Sequence, residues 1–453
     1  MEGTIAEKMG RFVAGLSYDN LPEEVIQKAK CCMINGIAIG ISCHSVEFGR
    51  MARDLIKAEE LGIPAEKGAT LFCDGAKVTP MGAAFANAAL FHGRAQEDTL
   101  GSSHTGTVIS PAVLALAERD GYTGKQVLEA VIAGYEIVGA LDRAVSGYTT
   151  PRGFRASPIF GIFGSASAAG KLLGLSEEET IKAIGFAAAF AGGTLECFAA
   201  GTMEWRFEVG VASREGILAA LLAKQGAVSA PTAMEGDAGF LRAFADTTEG
   251  SESISRDLGK TWSIMSTGFK PYPVCAFNQT PVRIILGILE ENDISHEDIE
   301  KVVVSVNPYE YHYAGMANRG PFDSVGATLM STPFCAALAL VDGQTTLDGL
   351  TRYDDPRIED LINKTEHIPE DGIGRYCGAV TVRTKDGNTF EKEAKEGPEF
   401  YNFDMQQTIE LAGRVTAETG VSPDKVDGLI DMIGKLDALP NVSELVKRLG
   451  SCP

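Results

Sequence analysis

The chemistry available to this 453-residue chain rests on a few polar side chains set among apolar and small residues. His104 closes the loop Gly101-Ser102-Ser103 ahead of a long apolar run. An imidazole there is placed to take or give a proton near neutral pH, or simply to hydrogen-bond the loop. Arg155 and Arg206 stay charged at any ordinary pH and grip carboxylates with a two-pronged fork. For Arg206 the alternative is an ion pair with Glu204 or Glu208 that ties the bundle together. Lys270 opens Lys270-Pro271-Tyr272-Pro273, where the two prolines stiffen a hinge whether or not the ammonium meets a ligand. Cys275 reads as a packed thiol with no base beside it in sequence.

Other chemistries lack their residues. No Gly-x-Gly-x-x-Gly follows a strand, and no Gly-x-Ser-x-Gly elbow is present. Ala168 to Gly174 imitates the end of a phosphate loop, but Ser165 stands where the first Gly belongs and Leu172 where Ser or Thr belongs. The six histidines (44, 92, 104, 296, 312 and 367) show no metal-ligand spacing to one another. The nine cysteines, scattered from Cys31 to Cys452 without a Cys-x-x-Cys pair, suggest a reduced, cytoplasmic protein. Lys+Arg 40 against Asp+Glu 61 leaves a net charge of −21, which repels nucleic acid and anionic lipid. The longest apolar stretch, Ala183 to Leu195, is cut by Glu196 and is too short for a bilayer, and the first residues lack signal-peptide order.

The elements that must position these groups are mostly helices. A hydrophobic fraction of 45% with 22% charged residues argues for a folded globular chain, long enough for two or three domains. Ser110-Pro111 predicts a helix start, and Thr123 with Gln126 and Ser176 with Glu179 have capping-box spacing. Gly and Ala at helical spacing, as in Gly161 to Gly174, suit closely packed buried helices. After about Trp262 the pattern changes. Lys301 to Val306 is a β-branched run that follows a helix expected from Ser295. Ala379 to Glu393 alternates around Asp386-Gly387-Asn388 as a hairpin, and between them Ser331 to Gly343 reads as an apolar helix. Helices resume at Asp404, with further starts at Ser422-Pro423 and Ser443. The predicted fold is mainly α: a large helical domain (1–265 and 401–453) with a smaller α+β lid domain (266–400) inserted before the C-terminal helices.

Three segments together resemble the MmgE/PrpD family, which includes 2-methylcitrate dehydratase, cis-aconitate decarboxylase and iminodisuccinate epimerase. They are Asn87 to Glu118, Gly153 to Ser176 continuing to Gly201 to Phe244, and Phe269 to Val282, in the family's order and separation across nearly the whole chain. The resemblance implies an active site between helical domain and lid, a homodimer, and chemistry without cofactor or metal on a small carboxylic acid. It implies a shared intermediate, a carbanion beside a carboxylate, reached by dehydration, epimerisation or decarboxylation. A dehydratase-type lyase leads, an epimerase is the alternative, and a member that only binds a metabolite or partner is the third reading. His104 matches the family's His after a one-residue gap, Asp98 and Glu97 match two acids of the family stretch, with Asp98 expected to orient the catalytic group or join it, and Thr99 matches a potential donor to a carboxylate. Lys270, Tyr272, Asn278 and Gln279 fall on the lid's side of the site.

The chain departs from the family pattern at several of those positions. Ala95 replaces an Asp, Arg155 and Glu208 each replace a His, Trp205 replaces a Lys beside the retained Arg206, Gln279 replaces a His and Phe334 a Tyr. On a helix, Trp205 and Glu208 share a face while Arg206 points about 100° away. Because the family's Lys is expected to face substrate, Trp205 and Glu208 are predicted to line one pocket. There, desolvation beside the indole would raise the Glu208 carboxyl toward a range useful for proton transfer.

Overall fold

In the computed structural model, which describes residues 3–60 and 62–451, the chain is mainly helical with little strand. The centre of the large domain is the helix Gly124–Thr149, which is buried from Val127 to Asp142 but for half-buried Glu129 and packs along Ala156–Leu172. The small residues seen in the sequence allow that approach. A Cβ on Gly134 would lie 3.0 Å from the Gly164 carbonyl oxygen, and one on Gly164 the same distance from the Gly134 carbonyl. Glu204–Lys224 crosses the same layer, where a Cβ on Gly216 would meet the Ser165 side chain at 2.3 Å. The capping boxes at Thr123/Gln126 and Ser176/Glu179 form as predicted.

The predicted start at Ser110-Pro111 is corrected. The helix runs Thr105–Asp120, so Pro111 lies inside it. The cap that starts it earlier is tertiary: the Gly106 N–H donates to Asp98 Oδ1 at 2.9 Å, and the His104 N–H donates to Ser157 Oγ at 3.0 Å. The helix expected from Ser295 is also shorter, a single turn at His296–Asp298 that delivers the chain into a strand.

The lid carries a four-stranded sheet in the order Thr365–Pro369, Ile299–Val306, Gly378–Thr384, Thr389–Ala394. The first pair is parallel and the others antiparallel. The strand Thr365–Pro369 has no counterpart in the sequence reading. Its five residues include Glu366, His367 and a terminal Pro369, too few and too polar to show strand alternation. Apolar helices, among them Gln279–Glu291 and Thr332–Asp342, cover the sheet. Met405–Ala417 then returns the chain to the helical body against Glu23–Ser42. Ala95 and Trp205 belong to the helical domain yet pack into the lid's core, so the two bodies share apolar contact at the seam. Among the described residues no single helix is long and apolar enough to cross a membrane.

Candidate active site

The seam between the two bodies encloses a cavity of about 60 Å³. One wall is the loop joining the helices Pro80–Phe91 and Thr105–Asp120. Paired backbone hydrogen bonds between Thr99 and Gly268, both 2.9 Å, bind this loop to the strand of chain that leads to Lys270. The Asp142 carboxylate accepts the Ser102 N–H and the Ser103 hydroxyl, pinning the loop from the helical side.

At the centre Glu97 accepts from Lys270 Nζ at 2.6 Å and faces His92 Nδ1 at 3.1 Å. Burial opposes a charged Glu97, but the His92 and Lys270 contacts outweigh it and hold the carboxyl well below the ordinary carboxylate range. Burial likewise pushes the His92 imidazole down to about 4, so that ring is neutral near pH 7 and Lys270 supplies the opposing charge. His92 Nε2 lies 2.5 Å from Arg155 Nη2. Since a guanidinium can only donate, Nε2 accepts and the His92 proton sits on Nδ1, toward Glu97.

His104 lies beside this pair, its ring 5.4 Å from that of His92. Its Nδ1 donates to the Asp98 carbonyl oxygen at 3.1 Å. Its Nε2 has no protein partner among the described residues, and the ring lines the cavity. Burial and the Lys270 charge hold this imidazole well below 6.5. His104 therefore presents an unprotonated Nε2 to the cavity, the form a base requires.

Arg155 enters from the opposite side. It donates to the Trp205 carbonyl oxygen at 2.5 Å and to Glu208 Oε2 at 3.1 Å. Trp205 forms a wall, its ring edge-on to His92 at 4.6 Å, and its buried Nε1–H has no partner among the described residues. Phe198, Phe277, Tyr309, Tyr313 and Tyr376 complete an aromatic lining. Ala95 and Tyr376, with φ of +56° and +58°, both line the cavity in the left-handed region. Such conformations are sparsely populated for residues other than Gly and gather at functional sites.

Of the residues singled out from sequence, His104, Thr99, Arg155, Trp205 and Lys270 converge on this cavity with Glu97. Glu208 does not. Trp205 and Glu208 share the helix as predicted, but Arg155 stands between the carboxylate and the cavity, and the other Glu208 oxygen accepts the Thr194 N–H at 2.9 Å. Glu208 thus faces an outer groove with Pro158 and Phe207, which corrects the expectation of a shared pocket. Asp98 is turned away as well. Burial lifts its carboxyl to about 6, and it accepts from the Tyr135 hydroxyl and the Gly106 N–H, so it sets the loop behind His104. Arg206 leaves the cavity and lies between the rings of Phe48 (4.0 Å) and Trp205 (4.2 Å), its pKa pushed down to about 10 by burial. The alternative ion pairs with Glu204 or Glu208 are not formed. Gln279 staples the proline turn, accepting from the Tyr272 N–H and donating to the Tyr272 and Val274 carbonyls. Tyr272 itself borders an outer groove with Gln96 and Arg414.

The sequence reading missed His92 and the tyrosines. His92 is one residue past a helix whose periodicity is uniformly apolar, so no pattern marks it. Tyr309 and Tyr313 are four apart after a strand, a spacing that does not say what they pack against. Among the described residues no group of three or more His, Cys, Asp or Glu is arranged to hold a metal ion.

Two family models match this chain. Residues 7–252 match the MmgE/PrpD N-terminal domain and residues 272–400 the MmgE/PrpD C-terminal domain. A cis-aconitate decarboxylase of Aspergillus terreus is 26% identical over 99% of this chain and 96% of its own length. The human cis-aconitate decarboxylase is 25% identical over 98% and 94%, and the cis-aconitate decarboxylase-like protein oryM of Aspergillus oryzae 26% over 98% and 97%.

Proposed function

The chain belongs to the MmgE/PrpD family, and from that premise we propose that it is a cofactor-independent lyase of the dehydratase type, acting on a carboxylic acid at a carbon next to the carboxylate. The observation that carries this reading is the free, unprotonated Nε2 of His104 in the seam cavity beside the Lys270 ammonium. One Lys270 proton is held by Glu97, which leaves two donors for a substrate carboxylate. As His104 takes the neighbouring C–H proton, charge spreads onto that carboxylate, and a fixed ammonium in a dry site stabilises it more than water would. The electron pair then forms the alkene and expels the β-hydroxyl, which leaves as water on receiving a proton. Tyr313 lines the cavity and burial keeps its phenol protonated, so it is a candidate for that donor.

A two-base epimerisation is less well supported, because His92 is held between Glu97 and Arg155, whereas His104 turns an unpartnered Nε2 to the cavity. A homodimer through the helical domain is part of the proposal. Phe190, Met203 and Val211 on that domain are exposed apolar side chains that a second copy would cover. A cytoplasmic location agrees with the free thiols of Cys31, Cys32, Cys43, Cys197, Cys275, Cys335 and Cys377.

The test is incubation of the protein with a panel of di- and tricarboxylates in D2O, followed by NMR. C–H exchange with a new alkene signal, lost by about 10²–10⁴-fold in His104→Ala at unchanged melting temperature, is the expected result. Exchange without alkene would favour the epimerase, and thermal stabilisation by acids without exchange would leave only the binding reading.

A further inference from the structure

The inner cavity is too small for a whole substrate. At about 60 Å³ it falls short of the roughly 150 Å³ that takes up one benzene ring. An acid that places its carboxylate at Lys270 and its reacting carbon at His104 must therefore continue into adjoining space.

That space is a second chamber of about 300 Å³, open at one rim. Thr99, Gly101, Lys270, Ala276 and Tyr376 line both volumes, so the two meet along one seam with Lys270 at the junction. The larger groove lined by Gly153, Leu195 and Pro308 shares only Tyr309 and Tyr313 with the inner cavity and does not reach Lys270.

The chamber's chemistry differs from that of the cavity. Leu100, Phe269 and Pro398 give it apolar walls, and apart from Lys270 at the junction and the exposed Ser266 and Arg143, whose Nη1 donates to Ser263, the polar groups deeper in its lining are already engaged within the protein. The Asp142 carboxylate holds Ser102 and Ser103, both ends of the Gln279 amide are taken by the proline turn, and the Tyr401 hydroxyl shares a hydrogen bond with Thr280 at 2.7 Å. Engaged walls return little to a charged or hydrated group that must shed water to enter, whereas an apolar group gains by the same transfer.

We propose that this outer chamber is a subsite for an apolar arm of the substrate, so that the preferred substrate is an acid bearing an aliphatic or aromatic substituent rather than a compact tricarboxylate. The inference rests on the reading of the inner cavity as the place where a carboxylic acid reacts. The substituent passes Tyr376 and lies against Leu100 and Phe269, with Ser266 at the exposed rim.

The test compares malate with 3-benzylmalate by titration calorimetry on the full chain and on Ser266→Trp, which fills the chamber from its rim without lining the inner cavity. The expected result is at least about tenfold tighter binding of 3-benzylmalate to the unaltered protein, from burial of the ring. Ser266→Trp should abolish that advantage and leave malate affinity within about twofold, at unchanged melting temperature. Equal affinities in the unaltered protein, or an advantage that survives Ser266→Trp, would overturn the subsite. Exchange of C–H for C–D, followed in the same samples, separates the two claims. Binding without exchange overturns the lyase reading alone, and no binding of either acid overturns both.

Discussion

Glu97 and Lys270 form an ion pair of 2.6 Å in which their side chains are only 2% and 5% exposed, and that contact joins the loop of the helical domain to the segment leading into the lid. It does two things at once. It fixes the seam between the bodies, and it holds an ammonium at the junction of the two chambers with donors to spare. Because both charges are buried, each depends on the other.

Removing one partner therefore costs more than removing both. Lys270→Met should destabilise the protein by about 3–5 kcal/mol, since it strands a buried carboxylate. Adding Glu97→Gln should restore more than half of that loss. Urea unfolding of the two single variants and the double variant measures the coupling, and additive effects would show that the pair is not the buried unit described.

Glu208 acts through Arg155, which donates to it at 3.1 Å while also reaching His92 and the Trp205 carbonyl. Glu208→Gln should raise KM by about tenfold with kcat changed by less than about threefold, the mark of lost positioning. A kcat loss of about 10²–10⁴ at unchanged KM would instead return Glu208 to a proton-transfer role.

Glu310 connects acidity to the turn that carries Tyr376. Burial raises its carboxyl from 4.5 to about 7, and it accepts the Tyr376 N–H at 2.8 Å and Arg375 Nε–H at 3.2 Å. A folded-state pKa above the unfolded one means that the folded protein holds the proton more tightly. The resulting stabilisation is full below about pH 4.5, declines as pH rises through about 7, and is gone above it. Glu310→Gln cannot ionise, so its unfolding free energy should lack this decline. Relative to the unaltered protein it should gain on the order of 2–3 kcal/mol between pH 4.5 and 8. Parallel pH curves for the two proteins in urea unfolding would contradict the assignment.

Much of the fold was legible because helix signals are local. The capping boxes at Thr123 and Ser176, the Gly387 hairpin and the small-residue stretches were each readable within a dozen residues, and each formed. The start of Thr105–Asp120 was not, because its caps come from Asp98 and Ser157, and the second of these lies on another helix. Site residues divide in the same way. His104, Arg155, Trp205 and Lys270 could be picked out by side-chain type within family-like motifs, and they do gather at one cavity. The order of side chains along one helix also kept Arg206 out of the cavity that Trp205 lines.

What the sequence by itself determined is therefore the set of helices, the insertion of the lid and the identity of most polar groups at the seam, since these follow from periodicity, caps and motif spacing. Only the tertiary structure decided which groups are free to act. Glu208 has the right face of its helix, yet Arg155, contributed by another helix, takes its carboxylate. His92 carries no motif, yet Glu97 and Arg155 from two different segments face its nitrogens, while His104 keeps an open Nε2 toward the cavity. Protonation state depends on burial and on charges brought within a few ångströms by distant parts of the chain, and no local pattern encodes that distance.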